Sequence, residues 1–153
     1  MDDLDYKAIS LLMERGRAPW TELGEHLELS APAAAERVRK LEEQGVILGY
    51  RAIANPDALG YPLIAFVHVT LGSTAQRAAF LKAVARHEQV VECHHIAGDD
   101  DYLLKVRCRG TGDLDQFLSV TLKDRLGVSR ARTTIALTTV KETTAIPAKA
   151  APK

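Results

Sequence analysis

Apolar residues in the first third of the chain recur at helical spacing in three short segments. Residues 4–14 and then Trp20–Leu27 repeat apolar positions every three or four residues. A third helical segment begins after Ser30, a good helix N-cap, and ends before Gly45, which suits the left-handed position after a helix. Residues 46–53 are strand-like and interrupted by glycine. This order predicts a winged helix-turn-helix, a DNA-reading module.

The pattern changes period after a turn-rich stretch at residues 54–62. The predicted elements beyond it are strands over 63–71, 90–97, 102–108 and 128–140, with helices over 76–87 and 113–126. The order strand–helix–strand–strand–helix–strand is that of a ferredoxin-like βαββαβ domain. Its strands look apolar on both sides, so we expect the sheet face away from the helices to pack on a second copy.

These patterns predict an α+β chain with four parts. We expect a winged helix-turn-helix DNA-binding domain at 1–53, a linker at 54–62 and a ferredoxin-like domain at 63–144. Residues 145–153, rich in Ala, Pro and Lys, lack a pattern and are predicted to be a mobile tail.

Composition and charge narrow the choice of environment and chemistry. The 153 residues carry 20 acids and 20 bases, an unusual balance for a DNA-binding protein, whose domains are commonly basic. No run approaches the ~20 apolar residues of a membrane helix, and the acidic start at residues 1–5 is unlike a signal peptide. We therefore expect a cytoplasmic protein with no membrane partner.

Neither the histidines nor the cysteines form a pattern typical of a reactive centre. His94 and His95 are adjacent in a predicted strand, where neighbouring side chains point to opposite faces and cannot easily share one metal ion. We therefore expect two partly buried histidines whose hydrogen bonds are satisfied. Cys93 and Cys108 lack CxxC spacing and read as buried, reduced thiols. The sequence predicts no metal, no cofactor and no catalytic residue.

The candidate DNA contacts lie on the third helix and in the segment that follows it. With Val38 at the centre of the buried face, helical geometry turns Pro32 and Lys40 outward and puts Arg37 and Arg39 on the two flanks. The predicted contacts are Ser30, Pro32, Arg37, Arg39, Lys40 and Arg51. A basic run can also be a merely solvated helix face, but its place in a capped third helix favours double-stranded DNA as the partner.

These residues resemble the family of the leucine-responsive regulator and AsnC, also called feast/famine regulators. The similarity includes Leu4-Asp5 before the first helix and residues 30–50, which look like the family's reading helix and wing. It continues in residues 91–105, similar to the hairpin of the family's effector domain, and in the last strand at 127–141. The resemblance covers about residues 4–146.

The resemblance implies an amino-acid effector held between subunits near the loop 98–102. Gly98 would let the ligand approach the backbone, and Asp99 or Asp101 would take its ammonium group. The further effector-site candidates are Tyr102, Thr133 and Thr134. An ordinary hairpin turn is the plainer interpretation, since Gly and Asp are common turn residues. Three successive carboxylates are nevertheless costly unless solvent, a cation or an amine compensates them.

We therefore predict a sequence-specific transcriptional regulator of this type, controlled by an amino acid. One module has few bases, so we expect a homodimer, and a higher assembly of dimers, to hold two modules ~34 Å apart. One alternative is an enzyme like the siroheme decarboxylases, which would need a basic, histidine-rich pocket. Another is an effector-sensing adaptor with weak DNA binding, favoured by acids outnumbering bases in residues 1–56 and by three alanines at 33–35.

Overall fold

The computed structural model describes residues 1–148, and its internal contacts divide the chain into two compact units. One unit is Met1–Ile53 together with residues 141–148, and the other is Ala54–Val140. Residues 149–153 of the predicted tail lie outside the described part of the chain. Among the described residues, no helix has the length and apolar character needed to span a bilayer.

The N-terminal unit consists of three helices around one apolar core. They are α1 (Asp3–Glu14), α2 (Trp20–Leu27) and α3 (Ala31–Glu43). The core side chains come from all three helices and are Ala8, Leu12, Leu23, Leu27, Ala34 and Val38. The periodicity thus predicts all three helices, because each buries one face against the other two.

The turn between α2 and α3 is tight. Glu28 ends α2 in the left-handed conformation (φ 57°), where a glycine would be less strained. Buried Gly24 lies so close to the next turn that a Cβ atom built on it would be 2.8 Å from the Leu29 carbonyl oxygen. Only a glycine lets the two backbones approach this closely, so Gly24 fixes how α3 leaves α2.

The predicted wing strand over 46–53 is wrong for the described residues, which form no β-pairing there. The end of α3 is as predicted: Gly45 is left-handed (φ 68°), and the Val46 N–H bonds back to the Leu41 carbonyl. Beyond it, however, Leu48 and Ile53 are more than nine-tenths exposed. A strand needs a neighbour to satisfy its backbone groups, and this segment has none within the described chain.

The second unit is a four-stranded antiparallel sheet of order β2-β3-β1-β4, covered on one face by helices. Its elements are β1 (Leu63–Leu71), a 3-10 turn (Thr74–Gln76), α4 (Arg77–Val84), β2 (Val90–His95), β3 (Tyr102–Cys108), α5 (Thr111–Gln116), which continues as a π-helix (Phe117–Arg125), and β4 (Val128–Ile135). The ferredoxin-like order is therefore confirmed. The last strand is shorter than the predicted 128–140, and the second predicted helix is divided into two forms.

The core of this unit lies between the sheet and the helices. Val67, Leu104 and Val106 on the sheet are fully buried, as is Phe80 from α4. The opposite, open face is not uniformly apolar, which corrects the sequence expectation. Its partly buried Phe66 and Leu103 are surrounded by charged and polar positions at Glu92, His94, Lys105, Arg107, Arg130, Arg132 and Thr134. Strand alternation puts this mixed set on one face.

Candidate functional site

The start of α3 is built by a side-chain cap. The Ser30 hydroxyl accepts a hydrogen bond from the Ala33 N–H at 3.3 Å, and Pro32 stands exposed in the first turn. A proline is tolerated there because the first N–H groups of a helix have no internal acceptor. Ser30 and Pro32 therefore lie at the exposed N-terminal end of α3, where the sequence places them.

Two of the predicted cations, Arg39 and Lys40, lie on the exposed face of α3. The Arg39 guanidinium donates to Glu36 at 2.7 and 3.0 Å and also contacts Glu43, while Lys40 Nζ lies 3.9 Å from Glu36. The hydrogen bond from Arg39 lowers the pKa of the Glu36 carboxyl. More than half of each cation's side chain is exposed. Such surface pairs are weak and leave the cations able to turn toward a phosphate.

Arg37 differs from these two because it points to the start of α1. Its Nη1 group donates to both Asp2 carboxylate oxygens, at 2.7 and 2.8 Å, and also to the Asp5 carboxylate. Only 26% of its side chain is exposed, against 57% for Arg39. The structure therefore separates Arg37 from the other predicted contacts.

Arg51 lies in the extended segment after α3. It is exposed and has no hydrogen-bond or ion-pair partner within residues 1–148. Nearby, the Tyr50 hydroxyl donates to Glu42 at 2.9 Å, and burial together with that carboxylate raises the pKa of Tyr50 to about 12. This bond holds the segment against the end of α3.

The acidic loop between β2 and β3 is the second candidate site. Gly98 is exposed with φ 148°, a conformation that side-chain-bearing residues avoid. The Asp101 carboxylate accepts a hydrogen bond from the Leu71 N–H at 2.7 Å, so it holds the loop to the end of β1. The side chain of Asp99 is exposed, with no partner among the described residues, and is available to a ligand.

Asp100, which the sequence did not single out, is the buried carboxylate of this loop. It is 4% exposed and accepts hydrogen bonds from the Thr70 hydroxyl at 2.9 Å, Arg130 at 3.0 Å and Arg132 at 2.9 Å. The Thr70 hydroxyl, followed by the two arginines, lowers the pKa of its carboxyl. His68 Nδ1 lies 3.5 Å away.

These contacts compensate the charge of Asp100, the buried member of the three successive acids. The cations come from β4, some thirty residues along the chain, and the β1–β4 register puts Arg130 opposite Thr70. The run of acids was a usable signal, but the sequence could not say which acid is buried.

The remaining effector candidates do not all lie near the loop in one chain. Tyr102 is 2% exposed, and its ring packs against Phe80 and His95 at 5.0 and 5.2 Å between centroids. Its buried hydroxyl has no hydrogen-bond partner among the described residues. Thr133 and Thr134 pair with Val67 and Phe66, roughly 10–13 Å along the strand from Thr70.

The burial expected for the two histidines and for one of the two cysteines is wrong. His94 and His95 are both exposed, and His94 lies 3.3 Å from Glu92. Cys108 is buried, but Cys93 on the edge strand β2 is exposed. Residues 1–148 contain no group of three potential ligands placed to hold a metal ion.

Both units match known domain families. The Lrp/AsnC ligand binding domain matches residues 64–146, more than half of the chain, and the AsnC-type helix-turn-helix domain matches residues 1–42. The chain belongs to the Lrp/AsnC family.

Relatives of full length agree with this assignment. The leucine-responsive regulatory protein of Haemophilus influenzae is 37% identical over 145 residues, which are 94% of this chain and 87% of the relative. A transcriptional regulator of Neisseria meningitidis, solved in complex with L-methionine, superposes with a TM-score of 0.92 at 30% identity over 96% of each chain. A feast or famine regulatory protein of M. tuberculosis, also complexed with L-methionine, has a TM-score of 0.85 at 35% identity over 92% of this chain and 95% of that one. This Lrp/AsnC member is therefore a transcriptional regulator with a helix-turn-helix and a ligand-binding domain.

Proposed function

We propose that the chain binds specific DNA sequences through α3 and that an amino acid bound to its second unit controls this binding. We also propose the domain limits 1–53, 54–62 and 63–144 for the DNA-binding part, the linker and the effector part. The observation that carries the DNA-binding proposal is the capped α3, whose exposed face presents Arg39 and Lys40.

The exposed face of α3 has little unbalanced positive charge, which limits the DNA contacts that one copy can make. Arg39 and Lys40 are balanced by Glu36 and Glu43, and alanines occupy positions 33–35. Direct base contacts need polar side chains at the helix start. We therefore assign a large share of recognition to backbone contacts and DNA shape, with Ser30, Pro32 and Arg51 at the edges of the contact surface.

Selection from a random duplex pool tests sequence-specific binding. The protein should enrich a defined sequence and bind it with an affinity that falls steeply as salt rises, because counterions are released from the phosphates. Lys40→Gln should flatten the slope of log affinity against log salt by about 0.9 per lost contact. Lys82→Gln is the matched control, since Lys82 is exposed on α4 of the other unit. Equal affinity for the selected and a scrambled duplex would refute the proposal.

The effector proposal rests on the acidic loop and on the two methionine complexes among similar structures. Asp100 and Asp101 are already engaged by the protein, whereas the Asp99 carboxylate is exposed. We assign the ligand's ammonium group to Asp99, with the Gly98 backbone beside it. Tyr102, Thr133 and Thr134 remain candidates for contacts to the rest of the ligand.

A thermal-shift screen over the amino acids, L-methionine included, tests this assignment. A ligand that binds only the folded state stabilises it by RT ln(1 + [L]/Kd), about 2.7 kcal/mol at one hundred times Kd. Asp99→Asn should abolish the shift, and Asp124→Asn, at another exposed position, should keep it. A full shift in Asp99→Asn would remove Asp99 from the site. No shift with any amino acid would refute an amino-acid effector.

We further propose that two copies pair through the open sheet face and that such dimers associate further. Phe66 and Leu103 are partly buried at its centre, and one DNA-binding module offers few cations. Light scattering should give a dimer or a multiple of it, and Phe66→Glu should shift the mass toward the monomer. Leu81→Glu is the control, because Leu81 is 38% exposed on α4. A monomeric unchanged protein would refute the pairing.

A further inference from the structure

Arg37 of α3 forms ion pairs with a different helix of the N-terminal unit. Its guanidinium reaches the first turn of α1, where Nη1 lies 2.7 and 2.8 Å from the two Asp2 oxygens and also bonds Asp5. Arg39 and Lys40, only two and three residues further on, pair with glutamates of their own helix. The contact from Arg37 therefore joins two helices, while the others stay within one.

The two acids also bond each other's backbone at the start of α1. Asp2 and Asp5 form a capping box: the Asp5 N–H donates to the Asp2 carboxylate at 2.9 Å, and the Asp2 N–H donates to the Asp5 carboxylate at 2.8 Å. Capping residues at a helix start are fixed by the backbone groups they satisfy. Arg37 thus binds two carboxylates that the capping box also holds.

The local charge works against a phosphate at this point. Two carboxylates against one guanidinium leave one net negative charge within hydrogen-bond distance of Arg37. A DNA phosphate would have to displace these acids or lie beside them, and like charges at such distances repel. Arg39 and Lys40 have a different setting, because their own side chains are 57% and 61% exposed, against 26% for Arg37. Their glutamate partners are about half exposed, whereas Asp5 is only 14% exposed.

We propose that Arg37 is a positioning residue, which fixes α3 against the start of α1, and that it neutralises no phosphate. The proposal rests on the DNA-binding function proposed above. It revises the sequence expectation that grouped Arg37 with Arg39 and Lys40. Recognition by α3 then depends on Asp2 and Asp5, two acids that would ordinarily count against DNA binding.

Salt dependence separates a positioning residue from a phosphate contact. The probe is the selected duplex, compared with a scrambled duplex of the same composition, over a series of salt concentrations. Arg37→Gln should lower the preference for the selected duplex tenfold or more and leave the salt slope unchanged within about 0.3. Lys40→Gln, the reference variant, should lower the slope by about 0.9. A slope lowered equally in Arg37→Gln, or an unchanged preference, would overturn the proposal.

Asp2→Asn gives an independent test that leaves Arg37 in place. The change in DNA binding should have opposite signs for a phosphate contact and for a positioning residue. If Arg37 were a phosphate contact, removing a competing carboxylate would strengthen binding to both duplexes. If Arg37 positions α3, the variant should lose preference for the selected duplex although the protein has become more positive. Stronger binding with undiminished preference would overturn the proposal. Failure of the unchanged protein to prefer any duplex would instead refute the proposed function, so the two failures are distinguishable.

Discussion

Gly24→Ala should destabilise the N-terminal unit, although alanine is the better helix former. Gly24 is buried within α2, and its carbonyl accepts the Leu29 N–H at 2.8 Å. A Cβ atom at this position would lie 2.8 Å from the Leu29 carbonyl oxygen and 3.1 Å from the Ala31 nitrogen. Both are backbone atoms of the turn that leads into α3, so no flexible side chain can move aside.

The magnitude follows from two opposing terms. In a helix interior, replacing glycine by alanine gains about 0.8–1.0 kcal/mol of helix propensity. The turn must in return retreat by about 0.6 Å for the closest contact to reach an ordinary 3.4 Å. Overpacking of this kind costs about 1–3 kcal/mol. Because the crowding involves backbone, we take its upper range and expect a net loss of about 1–2 kcal/mol.

Fluorescence of Trp20, the single tryptophan, reports this transition because it lies one helical turn before Gly24. Urea titration should show the midpoint moving to lower denaturant at unchanged m-value. Gly112→Ala in α5 is the matched control: nothing lies within 4 Å of its added Cβ, so circular dichroism should show a gain of about 0.5 kcal/mol. An equal or raised stability for Gly24→Ala would refute the close-approach argument.

Three further predictions concern single groups. Ser30→Ala should cost about 1 kcal/mol in urea unfolding through loss of the cap, and Ser30→Asp should keep most of the stability. The folded-state pKa of Asp100 is lowered, so its stabilisation is complete above the ordinary value of 3.8 and is lost as pH falls through the lower folded value. The Tm difference between the unchanged protein and Asp100→Asn should therefore be constant near neutral pH and shrink below about pH 4. A constant difference at every pH would contradict a stabilising role for the Asp100 ion pairs. A thiol reagent should label exposed Cys93 in the folded protein. Burial raises the pKa of Cys108 to about 11, so this thiol should react only after unfolding. Mass spectrometry of the labelled peptides distinguishes the two sites.

Local signals in the sequence were sufficient for most of the fold. Ser30 caps α3 and Gly45 ends it, as short-range rules predict. Short, strongly apolar runs placed β1 over Leu63–Leu71 and β3 over Tyr102–Cys108 at the predicted bounds. These features depend on a residue and its near neighbours, so no tertiary information is needed to find them.

The predictions that failed concern features set by residues far apart in the chain. The segment 46–53 has a strand-like composition but no neighbour to pair with in the described chain. The open sheet face was expected to be apolar, yet strand pairing groups Lys105, Arg107 and Arg132 there around Phe66. A composition says which residues a strand contains, but only the register says which of them share a face.

Sequence patterns alone were enough to predict three helices and a ferredoxin-like order of strands, and the resemblance of those patterns indicated the family. Contacts between distant parts of the chain distinguish residues of the same type that look alike in the sequence. Asp100 is buried between Arg130 and Arg132, while its neighbour Asp99 stays exposed. Arg37 is held by Asp2 while Lys40, one turn later, stays largely exposed. Charged residues of one type look the same in a sequence, but each has different neighbours in the fold. Long-range packing brings those neighbours together, so it sets which charged groups are buried and paired.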